Sequence, residues 1–163
     1  MLTTASARLT GGRTLAWDEW RLLARAGVDL LAVDVALRLG GLRRASRWAT
    51  SRDARPFGRR PGEDERRQAA RYARWIGVAA RYHIVRARCL HRSIVLHRWL
   101  SREGLPSELR IGVRKEAGQL RAHAWVELDG QAVGEPAQPL AAFVSLPNLD
   151  SAITGAGGRV RWS

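Results

Sequence analysis

A thiol, an imidazole and a carboxylate follow one another along this chain, each on a segment able to hold it in place. Cys89, the only cysteine, sits in Arg88-Cys89-Leu90-His91-Arg92-Ser93 at the mouth of an apolar helical pattern. His123 opens a strand-like run, His123-Ala124-Trp125-Val126-Glu127, and Glu135 follows a turn. Nucleophile, base and orienting acid are the parts of a cysteine-hydrolase site. A thiol is mostly protonated at neutral pH, and a helix N-terminus or a facing imidazolium favours the thiolate. The competing reading of Cys89 is a small buried hydrophobe, the commoner role of a lone cysteine at a helix start.

The spacing around His123 limits its partners. Alternation puts His123, Trp125 and Glu127 on one face and Ala124, Val126 and Leu128 on the other. Asp129-Gly130 is a two-residue hairpin signal, which pairs Leu128 with Gln131, Glu127 with Ala132 and Val126 with Val133. That register leaves Glu135 diagonal to His123 but on the opposite face, and a one-residue bulge would restore the face. The hairpin alone therefore leaves both Glu127 and Glu135 open as the acid. His83, His91 and His97 lack the spacing of helical metal ligands, and there is no CxxC or HExxH, so no metal site is expected. No glycine-rich phosphate loop is present. The pairs Arg43-Arg44, Arg59-Arg60 and Arg66-Arg67 read as a solvated face, with no recognisable nucleic-acid module.

The elements that must position these groups follow from periodicity. Trp20, Leu23, Leu30, Leu31, Val35 and Leu39 recur at helical spacing, and Gly40-Gly41 ends that helix, with a short second one over 42–49. Residues 50–63 read as a loop, 63–81 as a helix and 82–87 as a connector. Cys89, Ser93, Leu96 and Leu100 share one side of a helix over 88–102, stopped by Gly104 and Pro106. The period then changes to two over 108–113 and 122–128, with a return strand at 131–134. Residues 1–14 read as a frayed start and the stretch from Pro136 as loop-rich, with flexible glycines at 155–158. The order is α+β. Its 163 residues, 45% apolar with seven tryptophans, suit a compact unit: a helical region at 1–81 and a catalytic core at 82–163.

The net charge of +13 is almost all arginine, since Lys115 is the only lysine, and it favours acidic partners. One cysteine cannot form an internal disulfide, which suits a reducing cytoplasm. No secretory h-region opens the chain, and 28–39 is too short and too charged to span a bilayer.

The runs Cys89 to Leu96, Leu109 to Lys115 and Ala122 to Gly130 together resemble the leader peptidase of lasso-peptide biosynthesis, over roughly residues 85–136. The resemblance implies an α+β transglutaminase-like (papain-like) core, the nucleophile's helix packed on a small antiparallel sheet, with a helical N-terminal region. It implies a bacterial cysteine peptidase that removes the leader from a ribosomally made precursor. It carries the nucleophile onto Cys89, the base onto His123 and the third role onto Glu135, where the family has the shorter aspartate. The Cys89 backbone N–H is the expected oxyanion donor, with Tyr82 as the second. No cofactor is needed for the cut. The implied partners are the precursor peptide and an ATP-dependent macrolactam synthetase. A separate leader-recognition protein is also expected, because residues 1–81 lack the strands of the recognition domain fused in some relatives. The alternatives are a transglutaminase-type acyl transferase, a non-catalytic peptide-binding adaptor and a basic nucleic-acid binder, whose binding would collapse with salt.

Overall fold

Glycine divides the first helix. In the computed structural model, which describes residues 17–49, 60–83, 89–135, 140–145 and 161–162, α1 runs Trp17–Ala49, and Gly41 at φ 63° and ψ −168° breaks it into two helical segments. Its apolar residues fall on two faces. Ala26, Leu30 and Val33 enter the core, whereas Trp20, Leu31, Val35 and Leu39 point to solvent. The apolar period read from the sequence therefore mixes an inward and an outward row.

Helix α2, Glu63–Tyr82, starts with three acidic residues, which suit its dipole. The Glu65 carboxylate caps it by accepting from the Gly62 N–H at 2.7 Å. Ala69, Tyr72 and Ile76 form its buried face, as their spacing predicts. His83, just past its end, donates from Nε2 to the Gly27 carbonyl and ties α2 to α1. Helix α3, Cys89–Arg102, is the centre of the molecule, with eleven of its fourteen residues buried. Leu105 N–H bonds the Leu100 carbonyl, and Gly104 at φ 74° turns the chain out of the helix.

The sheet is built from hairpins. Strands β1 (Ser107–Glu116) and β2 (Gln119–Leu128) pair antiparallel through a turn at Ala117-Gly118, where both residues have positive φ. Asp129 and Gly130, at φ 53° and 73°, make the expected turn into β3 (Gln131–Ala132), in the predicted register. Two short strands escape the sequence reading: β4 (Val144–Ser145) on the outer edge of β1, and β5 (Arg161–Trp162), parallel to β2. Ala124, Val126 and Leu128 of β2 join Ile111 of β1, Ile94, Val95 and Leu100 of α3, and α1 and α2 residues in one core cluster. Each fully buried aliphatic there contributes about 1.5–3 kcal/mol. Trp99 is wholly buried, its indole N–H bonded to Asp29 at 2.6 Å and its ring met edge-on by Tyr72.

The expectations for residues 1–14 and 155–158, and most of those for 50–63 and 82–87, lie outside the described residues. Of the paired arginines, Arg66 bonds Asp129 and Gln131, and Arg67 bonds Asp64. Among the described residues no helix is long and apolar enough to cross a membrane.

Candidate active site

Helix α3 begins at Cys89, which places the thiol at the positive end of a buried helix dipole. Ser93, one turn on, donates its hydroxyl to the Ala124 carbonyl at 2.8 Å. That bond pins the helix to β2 immediately beside His123. The His123 ring and the Cys89 side chain are hydrogen-bonded.

Glu135 reaches the imidazole by a backbone turn. Val133 N–H bonds the Val126 carbonyl at 2.9 Å, so the predicted pairing continues one residue past β3. Gly134 then takes φ 74° and redirects the chain. This left-handed glycine, the conformation that marks a glycine bulge, brings the carboxylate to His123: Glu135 Oε2 lies 2.5 Å from Nε2. The position excludes a side chain for a second reason, since a Cβ there would sit 2.5 Å from the Ala73 Cβ of α2.

The other candidate acid is engaged elsewhere. Glu127 accepts from Arg110 Nε at 3.1 Å and from the Trp125 indole at 2.9 Å. Tyr82, the last residue of α2, is 81% exposed.

Three neighbours of the trio went unread in the sequence. Arg92 donates to Glu135 Oε1 at 2.8 Å, so each carboxylate oxygen has its own partner. Its place three residues after Cys89, on the same side of α3, was the available signal. Phe143 lies against His123 with ring centroids 5.4 Å apart, and Trp125 stacks on the same imidazole at 6.2 Å. Gly112 faces His123 across the β1–β2 ladder. A Cβ on Gly112 would meet Phe143 Cβ and the Trp125 ring at 2.9 Å. A glycine inside an alternating strand is the sequence mark of such a close approach. Gly112→Ala should therefore displace the rings that flank His123 and cost about 1–3 kcal/mol of stability. Denaturant unfolding reads the stability, and the thiol alkylation rate reads the lost alignment of His123.

The electrostatics follow from these contacts. The hydrogen bond to Cys89, then that to Glu135, pushes the His123 pKa up to about 9 against the opposing effect of burial. Burial alone would raise Glu135, but the hydrogen bond and charge of His123, followed by Arg92, hold its carboxyl below the usual value. At neutral pH the site thus carries an imidazolium against a carboxylate. A cavity of about 380 Å³ adjoins the acid, lined in part by Ala73, Gly77, Arg92, Leu96, Trp125 and Glu135. The remaining histidines have other surroundings. His97 is buried against the Ser107 hydroxyl, and burial lowers its pKa. His91 faces Asp34 at 3.4 Å. Among the described residues no group of three or more His, Cys, Asp or Glu side chains could hold a metal.

Residues 29–148 match the family model described as transglutaminase-like superfamily. The match begins within α1 and so takes in α2, α3 and the hairpins. No curated protein and no solved structure matches the chain.

Proposed function

The chain belongs to the transglutaminase-like superfamily, and from that membership we propose that it is a cysteine peptidase removing the leader from a ribosomally made lasso-peptide precursor. The observation that carries the reading is the His123 ring, held by Glu135 on Nε2 and hydrogen-bonded to the Cys89 side chain. With Nε2 engaged, Nδ1 is the nitrogen left to share the thiol proton.

The chemistry then runs in two halves. The Cys89 thiolate attacks the scissile carbonyl carbon, and the developing oxyanion turns toward the Cys89 backbone N–H at the start of α3, with the Tyr82 hydroxyl as second donor. His123 gives its proton to the departing amine, the C–N bond breaks, and the core peptide leaves with a new N-terminus. Neutral His123 next takes a proton from water, whose oxygen attacks the thioester. The C–S bond breaks, and thiolate and imidazolium are restored. Glu135 keeps the ring oriented and favours its charged form, and Arg92 keeps Glu135 in place. A separate leader-recognition protein supplies binding energy remote from the scissile bond, and an ATP-dependent macrolactam synthetase takes the freed core.

The test uses a short precursor peptide encoded beside this chain, incubated with the chain and the adjacent leader-recognition protein and followed by mass spectrometry. Free leader and intact core, whose masses together exceed that of the precursor by one water, are the expected products. A leader joined to an added primary amine would instead assign transglutaminase-type acyl transfer. No product at all, together with a sluggish Cys89 thiol, would assign a non-catalytic adaptor.

The pH profile gives an independent check. Activity needs the protonated ring, so kcat/KM should fall as pH rises through about 9, the His123 pKa. The Glu135 charge favours the imidazolium, so removing it lowers that pKa. Glu135→Gln should therefore move the alkaline limb to lower pH. An unmoved limb in a folded variant would break the link between Glu135 and the base.

A further inference from the structure

The cross-strand neighbour of His123 has no side chain. Gly112 of β1 faces it across the ladder, where facing Cβ atoms ordinarily lie about 4.5–5.5 Å apart. The room beside the imidazole is filled from a third strand. β4 pairs Ser145 with Gly112 and Val144 with Val113. One more step of that register sets Phe143 beside Arg114, on the face that holds His123. The Arg114 guanidinium lies 4.9 Å from the centre of the Phe143 ring and is itself held by Glu116 at 2.9 Å. The ring meets His123 with centroids 5.4 Å apart. That approach needs the glycine, because a Cβ on Gly112 would lie 2.9 Å from the Phe143 Cβ.

The segment around Phe143 offers little else to the interior. Ala141, Ala142, Val144 and Ser145 are exposed, and only Leu140 and Phe143 are half-buried. The Phe143 N–H bonds the Leu140 carbonyl at 2.9 Å and closes a turn just ahead of β4. Trp125, the second ring on the imidazole, is fixed by its indole N–H on Glu127. Between these contacts the His123 and Glu135 side chains are only 14% and 20% exposed. A hydrogen bond kept from water is stronger, and a closely packed ring has less room to rotate.

We propose that Phe143 is a positioning residue for the base. Its ring holds the His123 imidazole in the orientation that serves both Glu135 and Cys89, and keeps water from the Nε2–Glu135 hydrogen bond. Phe143 acts through His123 and does not touch the substrate. Its effect on turnover rests on the peptidase reading, whereas its hold on His123 does not.

The experiment is proton NMR of the full chain carrying ¹⁵N-histidine, near neutral pH. The Nε2 proton shared with Glu135 should give a far-downfield line, identified by its absence from Glu135→Gln. In Phe143→Ala that proton should exchange with water at least about tenfold faster, and the line should broaden away in a protein that remains folded. Phe143→Leu, which still covers the imidazole, should retain it. If Phe143→Ala does not fold, Phe143→Val takes its place, since valine suits a strand and is too short to reach the imidazole. With precursor peptide, kcat should fall roughly ten- to a hundredfold in Phe143→Ala while KM stays within about twofold. No downfield line in the parent chain, an unchanged line in the folded variant, or a line lost equally in Phe143→Leu overturns the proposal. A change confined to KM would make Phe143 a substrate contact and also overturns it. If the parent chain cleaves nothing, the peptidase reading fails, and the NMR line alone decides the role of Phe143.

Discussion

Cys89→Ala should stop the proposed leader removal, by at least roughly 10⁴-fold, in a protein that still folds. The size of the loss follows from the chemistry: without the thiolate no acyl-enzyme forms, and the remaining groups have nothing to activate except water. The fold survives because the change deletes one atom from a buried site and leaves the helix start intact. Cys89→Ser should be nearly as inactive, since a hydroxyl is far less ionised than a thiol beside the same imidazolium. Product mass spectra and a thermal melt on the same samples separate lost chemistry from lost structure. Near-normal cleavage by a folded Cys89→Ala chain would sink the peptidase reading.

His123→Ala should be almost as damaging, because it removes the thiolate's counter-ion and the proton donor for the leaving amine together. Glu135→Gln, which keeps the shape and loses the charge, should be about two orders of magnitude milder. Groups that act as a unit are not additive, so His123→Ala/Glu135→Gln should be no worse than His123→Ala alone. Alkylation of Cys89 by iodoacetamide at mildly acid pH gives a reading independent of any substrate. The rate should be high in the parent chain and fall in His123→Ala, where no imidazolium holds the thiolate. Equal rates in the two proteins would remove His123 from the site.

The helices and the second hairpin were legible because their signals are local. Ala69, Tyr72 and Ile76 keep one period, and Asp129-Gly130 admits few other turns. The inward face of α1 was not legible. Both of its rows are apolar at helical spacing, and only contact with α2 and α3 distinguishes Leu30 from Leu31. The approach of Glu135 to His123 depends on the left-handed Gly134, whose neighbour Ala73 is on another helix. Strand pairing alone left Glu135 on the wrong face, and the family resemblance rather than the hairpin singled it out. Arg92 points at an acid 43 residues away, a separation no local pattern reports. β4 and β5 are two residues long, too short for alternation to register, and exist through their pairing with β1 and β2.

The hydrogen bond from Ser93 to Ala124 has a consequence for the order in which the site assembles. It spans 31 residues, whereas His123 and Glu135 are only 12 apart on one hairpin. Closing the shorter loop costs less entropy, so imidazole and carboxylate can meet within a local hairpin before α3 docks. Synthesis from the N-terminus runs the other way and makes Cys89 first. A nascent chain that has passed Cys89 but not His123 carries a thiol of ordinary reactivity. The first of the three groups to be made is therefore the last to be activated, and the proposed hydrolytic competence waits until the chain has been completed through Glu135.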